Sequence, residues 1–495
     1  MNKPLRAFIC LLAALTVLPS CSGNDGGAPE TAGADAVPEA VPDAAETDAP
    51  PETEPAYDPL PETDLGGREL RFYNYDDSWL SWVVNILDPE ELNGDVLNDA
   101  VWNRNNRLEE TLHCVISETA DRNPADKLPA LVKAGDAGAE IVMLYDETIV
   151  NQYLSGNLRT WDALPYVDFT EPCWSWDATR TFSSGGRVYA ATGDFSLAQS
   201  TRSFIMMFNK DMYADLGLGT PDDLYETVRD GAWTLDRYLS DAEKAVLDLN
   251  GDGVMDMEDR YGCATAIKLY FGSLVSGAGI KYVDTDAEGN ACFAIPGNEY
   301  ALNVMSDILS RHSGNHIFKQ VADTVHDGSA EGQQMFIGNH TLFQGSSMKA
   351  VSVYRDMDSD IGILPFPKYS EEQTAYYALT SGGTMATLPA TLPDELCADV
   401  GLLLESMSRL SRETVIPVYK ETLLKSRYAR DQGSADMLDI IFASALYDIG
   451  LSVIPSDTYY KYMEVFMNGT DTFSSLTQSI TKMVNKQLDK LAKKD

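Results

Sequence analysis

The chain has 495 residues, with 37 Lys and Arg against 76 Asp and Glu, a formal charge of −39, and 44% hydrophobic residues. That hydrophobic share excludes disorder over most of the length, which suits about three domains or two large lobes. The acidic balance argues against nucleic acid as a partner, because a polyanion must be met with Lys and Arg, and seven scattered cysteines do not make a disulfide scaffold.

Residues 1–20 read as an export signal. Lys3 and Arg6 precede the apolar run Ala7–Val17, which is too short to anchor a chain across a bilayer. Leu18-Pro19-Ser20-Cys21 follows and resembles a bacterial lipobox, which makes Cys21 the expected lipidation site. Plain secretion with a spare thiol is the alternative. Ser22–Asp64 holds twelve acidic residues and no Lys or Arg, with abundant Ala, Pro, Thr and Gly. Such a segment cannot bury enough surface to offset its ordering entropy, so 21–64 is expected to be a disordered tether with a reach of roughly 40 Å or more. A lipid at one end and a folded body at the other imply an exported protein held at the outer face of a bacterial cytoplasmic membrane. No other run approaches eighteen apolar residues.

The body, 65–495, is itself acidic, with 35 basic and 64 acidic side chains. Its five cysteines are an odd number, so at least one stays free. Glu69–Tyr75 alternates and predicts a strand. Leu97–Leu112 has helical spacing, Cys114–Ile116 predicts a strand, Asp126–Lys133 a helix, and the apolar run Glu140–Tyr145 a buried strand. This β-α-β-α-β rhythm implies a parallel-rich α/β sheet. Val188–Ala191 and Ser203–Asn209 predict further strands. Thr234 is a predicted N-cap for a helix from Leu235 to about Val246. Lys281–Ile295 reads as a hairpin around Asp284–Asn290. Gln334–Phe343, Ile361–Leu364 and Thr380–Thr387 are further strand candidates. Leu476, Ile480, Met483, Leu488 and Leu491 mark an amphipathic C-terminal helix.

The sharpest local motif is Asp248–Asp259. Side-chain oxygens stand at Asp248, Asn250, Asp252, Asp256 and Asp259, Val254 offers a carbonyl, and Gly253 permits a tight turn. Calcium requires six to eight hard oxygens around such a turn, so Ca²⁺ is the expected cofactor. A solvated acidic loop is the alternative. The stretch after Arg260 does not read as a second flanking helix, which points to a structural staple and not a switch.

The order FNKDMY (208–213), Trp233-Thr234, DLNGDGVMDMEDRYG (248–262), QMFIGNH (334–340), GILPFPK (362–368) and SGGTMA (381–386) resembles the family 1, maltose-binding-protein-like extracellular solute-binding proteins of bacterial ABC importers. The resemblance covers 65–495. Where family members often carry a Trp after a strand-end glycine, this chain reads Gly345-Ser346-Ser347. The family fold implies two α/β lobes with a ligand cleft between them and crossings near Gly193–Arg202, Asp327 and Thr387–Pro393. Residues 65–195 with 328–390 then form the first lobe, and 196–327 with 391–495 the second. Strand ends face the cleft, which makes Tyr75, Trp79, Tyr145, Asp146, Asp194, Ser196, Ser346 and Tyr376 the candidate ligand residues. Plainer roles are open to most of these: core packing for Trp79 and Tyr376, a helix cap for Asp146, hinge bonding for Asp194 and Ser196, and a turn for Ser346. Trp233 is assigned to packing, and Trp174 and Trp176 to a clamp on the first lobe. His312 and His316 show no third ligand and are read as solvated.

The resemblance implies a non-catalytic, monomeric receptor that binds a small polar solute, a mono- or oligosaccharide foremost, and delivers it to ABC permease subunits. The rival readings are a surface glycan hydrolase, which needs two carboxylates about 5–10 Å apart, and a module that retains glycan without transport. No G-x-S-x-G, H-E-x-x-H or P-loop is present.

Overall fold

The computed structural model describes residues 60–76, 78, 86–321, 330–354, 357–425, 432–450 and 456–494. The export signal, Cys21, most of the tether, Trp79 and the crossing expected at Asp327 lie outside these residues.

The strands, in chain order, are β1 (Arg68–Tyr75), β2 (Cys114–Asp121), β3 (Ile141–Tyr145), β4 (Leu158–Arg159), the hairpin β5 (Ser183–Ser184) and β6 (Arg187–Val188), β7 (Phe204–Asn209), β8 (Tyr261–Thr265), the hairpin β9 (Val283–Thr285) and β10 (Ala291–Phe293), β11 (Phe318–Gln320), β12 (Thr341–Ser347), β13 (Ile361–Leu364), β14 (Ala378–Leu379), β15 (Thr384–Pro389) and β16 (Ala445–Leu446). Two five-stranded sheets organise the body, in the orders β2-β1-β3-β15-β4 and β11-β8-β12-β7-β13. β1 runs parallel to β2 and β3, and β15 is antiparallel to β3 and β4. The second sheet repeats the scheme: β8 is parallel to β11 and β12, while β7 is antiparallel to β12 and β13. Each sheet therefore carries one strand inserted against the direction of its neighbours.

Period-two alternation distributes the apolar side chains over both faces of each sheet. In β3, Ile141 and Met143 join Leu70, Phe72 and Leu388 in one core, while Val142 and Leu144 face the other way. In β7, Ile205 and Met207 pack with Ile361 and Ile363, while Phe204, Met206 and Phe208 enter the opposite core. The 29-residue helix Cys397–Lys425 serves both lobes. Its Val400, Leu403 and Met407 lie in the first-lobe core, and its Val415, Ile416 and Tyr419 pack with residues of β7 and β13.

Most expected elements are present. The helices Val96–Leu112 and Pro124–Ala134 and the C-terminal helix Phe473–Ala492 fall where the spacing places them. Thr234 caps the helix Leu235–Glu243, accepting from Arg237 N at 3.4 Å. Three expectations need correction. Gln334–Phe343 is not one strand: Glu331–Ile337 is helical and β12 begins at Thr341. The run Met335-Phe336-Ile337 satisfies either periodicity, and packing decides. Val188–Ala191 is mostly outside a named strand: Arg187–Val188 pairs with Ser183–Ser184, and Ala191 makes a single antiparallel bridge to Ala386 of β15. The lobe boundaries also shift. β12 and β13 belong to the second sheet, so 341–364 joins the second lobe and not the first. The chain returns at 380–384, between Thr380, bridged to Ser203, and β15. Cys397 and the half helix after it then belong to the first-lobe core. Apolar strand patterns do not state which of two similar sheets a strand joins.

Candidate functional site

Residues just beyond the carboxyl ends of β3 and β8, strands of the two different sheets, meet each other. Carbonyl ends of parallel strands leave backbone groups unpaired by the sheet, which is why ligands gather there. After β3 the chain enters the helix Asp146–Leu154 without a side-chain cap. After β8 it passes through Ala266 and Ile267 to Lys268. Lys268 Nζ lies 3.3 Å from Glu147 Oε1. The Tyr145 hydroxyl donates to the same oxygen at 3.5 Å. The Glu147 and Lys268 side chains are 30% and 16% exposed, so this pair is open enough to exchange partners.

Asp146 sits behind them, buried. It accepts from Glu147 N at 2.8 Å and from Gly382 N at 2.7 Å. Burial, reinforced by the Glu147 charge, pushes its carboxyl up to about 6. Arg202 closes the base of the site from the crossing helix Ala198–Arg202. Its Nε donates to Ser381 O at 3.0 Å, and its charge acts on Tyr145, Asp146 and Glu147. Gly382 has φ +82°, and a Cβ there would stand 2.9 Å from the guanidinium, so the return crossing requires glycine beside Arg202. Tyr460 completes the surroundings by acting on the Tyr145 hydroxyl. Two cations and two carboxyl groups thus balance one another beside a phenol.

Of the candidates read from sequence, Tyr145 and Asp146 belong to this cluster. The others described do not. Tyr75 is 2% exposed, its hydroxyl among Tyr145, Thr148 and Ala125. Ser196 Oγ accepts from Ala198 N at 3.2 Å, a local bond at the start of the crossing helix. Ser346 is fully buried in β12, opposite Ile205. Tyr376 donates to Val228 O at 3.0 Å under the Lys368 ammonium, away from the strand ends. Asp194 pairs with Arg412 at 3.0 Å and lines a separate cavity. Trp233 is packed as expected, donating to Pro365 O. His312 is not a solvated residue but bonds to Tyr270 and Ile308. Glu147, Arg202 and Lys268 were not singled out from sequence. The available signal was their position, one to three residues past a strand end or at the end of the crossing.

Three carboxyls, the buried Asp146 and the half-buried Asp194 and Asp448, all stand at about 6, mainly through desolvation. In the unfolded chain they return to the ordinary carboxylate value near 4. Between those values the folded protein binds more protons than the unfolded one, so stability rises as pH falls through about 6 toward 4 and is lowest from these groups above 6. Calorimetry at constant ionic strength should give a Tm a few degrees higher at pH 5 than at pH 7.5. A Tm that falls over that interval would contradict the burial of these groups.

The loop 248–259 closes through the antiparallel bridge Leu247–Arg260 and leads directly into β8. Asp248 accepts from Gly251 N and Gly253 N, Asp252 from Val254 N, and Asp259 from Leu249 N and Asp256 N, all at 2.7–2.8 Å. Gly251 and Gly253 take the left-handed conformation that this turn requires. The donor chemistry suits calcium, but among the described residues no three His, Cys, Asp or Glu side chains gather as a metal site. Backbone N–H groups offset part of the carboxylate repulsion within the loop.

No protein-family profile and no curated protein sequence matches the chain. Solved structures do match. An ABC substrate-binding protein from Listeria monocytogenes, in complex with cycloalternan, aligns at TM-score 0.53 and 11% identity, covering 86% of this chain and 99% of that one. A cyclo/maltodextrin-binding protein complexed with maltotetraose aligns at 0.53 and 14%, covering 86% and 97%. A family 1 extracellular solute-binding protein from Bifidobacterium longum subsp. infantis aligns at 0.50 and 13%, covering 87% and 99%. The two-lobe α/β fold of periplasmic-type binding proteins is therefore the fold of this chain.

Proposed function

We propose that the protein is the extracellular receptor of an ABC importer, capturing a mono- or oligosaccharide between its lobes and handing it to a membrane permease. The observation that carries this is the charge-balanced cluster of Tyr145, Asp146, Glu147, Arg202 and Lys268, contributed by both lobes and the crossing. An internally neutral set of donors and acceptors favours an uncharged, hydroxyl-rich solute over an anion or a cation. The structural neighbours with sugars bound support the same class. A ligand that touches both lobes stabilises the closed form by its differential affinity. Export and lipid anchoring through Cys21 fit this role, since the tether would keep receptor concentrated beside its permease.

A thermal-shift screen of the protein against mono- and oligosaccharides, amino acids and peptides tests the reading. Ligand at 100 times its Kd adds about 2.7 kcal/mol. A shift confined to one glycan class, with the glycan recovered intact, supports the receptor. Cleaved glycan would replace it with the hydrolase reading.

Calcium is proposed at Asp248, Asn250, Asp252, Val254, Asp256 and Asp259, as a clasp on the loop that feeds β8. Extracellular sites of this type have Kd values of roughly 10⁻⁴–10⁻³ M. Adding 10 mM calcium (about 10–100 Kd) should raise stability by about 1.4–2.7 kcal/mol, and Asp248→Asn with Asp252→Asn should cancel the rise. An equal Tm in calcium and in chelator would rule the site out.

A further inference from the structure

A cavity of about 770 Å³ shares no residue with the strand-end cluster. The loop around Trp174 and Trp176 forms one wall, the long helix at Arg412 and Lys420 another, and Phe442 at the end of the helix Gln432–Ala443 a third. The crossing helix separates the two sites. Ala198 and Arg202, one turn apart, meet Gly382 and Gly383, while Gln199 and Ser200 line this cavity.

Three features of the lining are unlike an ordinary surface crevice. Trp176 is 63% exposed, a large indole face held in water. Its backbone is not free to retract it: Trp174, two residues earlier, is fixed by its Nε1 bond to the buried Glu405 at 2.7 Å. The charges of the lining pair off, Asp194 with Arg412 at 3.0 Å and Lys420 with Asp439 at 2.6 Å. Gln199 adds a planar amide side chain to the same wall.

An aromatic plate, charged side chains that are already neutral in pairs, and a planar amide are together the complement of a neutral sugar ring, with its CH face and its hydroxyls. We propose that this cavity is a second pyranose-binding site, on the other side of the crossing helix from the strand-end cluster. It does not require the strand-end site to bind sugar. The cavity walls come from both lobes, so its shape depends on the lobe angle. By linkage, a sugar here and a solute at the strand ends would change each other's affinity by the same factor.

Calorimetric titration of the whole chain with methyl β-glucoside, methyl β-galactoside, methyl α-mannoside and maltotriose tests the site, using Trp176→Ala, Trp176→Phe and Glu147→Gln. Trp176 is exposed, so neither substitution there removes core. The expected result is a binding event weakened at least tenfold by Trp176→Ala, largely kept by Trp176→Phe, and changed less than threefold by Glu147→Gln. The absence of any Trp176-sensitive binding across the four probes overturns the second site. If the only binding seen is that lost in Glu147→Gln, the second site is overturned while the strand-end reading stands. Binding lost only in Trp176→Ala supports the cavity and leaves the strand-end reading to its own ligand screen.

Discussion

Glu147→Gln should weaken capture of the strand-end ligand by about 2–4 kcal/mol, roughly 30- to 1,000-fold in Kd. Glu147 accepts from both the Lys268 ammonium and the Tyr145 hydroxyl. Losing its charge removes one side of a partly buried pair that joins the lobes and leaves Lys268 without a counter-charge. Lys268→Met should cost a similar amount for the mirror-image reason. The double variant should lose clearly less than the sum of the two, because neither remaining group is then left as an unmatched charge. Titration with the glycan found by the thermal-shift screen reads all three values. A change below twofold in both single variants would move the ligand away from this cluster.

Glu405→Ala should destabilise the folded protein by about 3–5 kcal/mol. Glu405 is 0% exposed yet accepts from three directions: Trp174 Nε1 at 2.7 Å, Arg409 Nε at 2.7 Å and Asp168 N at 3.2 Å. Truncation leaves an indole N–H and a backbone N–H unpaired and takes from the 13%-exposed Arg409 its 2.7 Å ion pair. Trp174 itself packs edge-on to Trp161 and Phe169, so the loss spreads into an aromatic cluster. Glu405→Gln keeps the acceptor and loses the charge, and should cost less than half as much. Urea unfolding of the three forms measures this. Equal stability of Glu405→Ala and the parent would mean that water replaces the carboxylate.

The elements were largely legible in the sequence because strong periodicity marks them. Glu69–Tyr75, Ile361–Leu364 and the C-terminal helix are long or apolar enough that packing had no competing choice to make. Membership of a sheet was less legible. β12 and β15 are both fully buried strands, and nothing local in Thr341–Ser347 says that it pairs with β8 and β7. The site was half legible for a related reason. Tyr145 and Asp146 stand out because they end a conspicuous apolar run. Lys268 follows the less apolar strand Tyr261–Thr265 only after two further residues. Arg202 becomes part of the site only because Ser381–Gly383 returns beside it, 179 residues further on in the chain. Aromatic residues attracted attention that the structure assigns to packing, as with Tyr75 and Tyr376. The charged pair that spans the lobes has no counterpart in local sequence.

The inserted strand of the first sheet has a kinetic consequence. β15 fills the gap between β3 and β4, and Thr387 donates to the Val142 carbonyl, 245 residues earlier. A chain made from its N-terminus exposes β3 and β4 long before the strand that joins them exists. At roughly 5–20 residues per second the wait is on the order of 10–50 s. Throughout it β3, with Ile141–Leu144 all destined for burial, presents an unpaired apolar edge. The first lobe therefore cannot finish folding before the second has been synthesised, although it comes first in the chain. A nascent form stopped before residue 384 should be aggregation-prone and a client for chaperones, whereas release of the full chain should allow both lobes to close in a single late step.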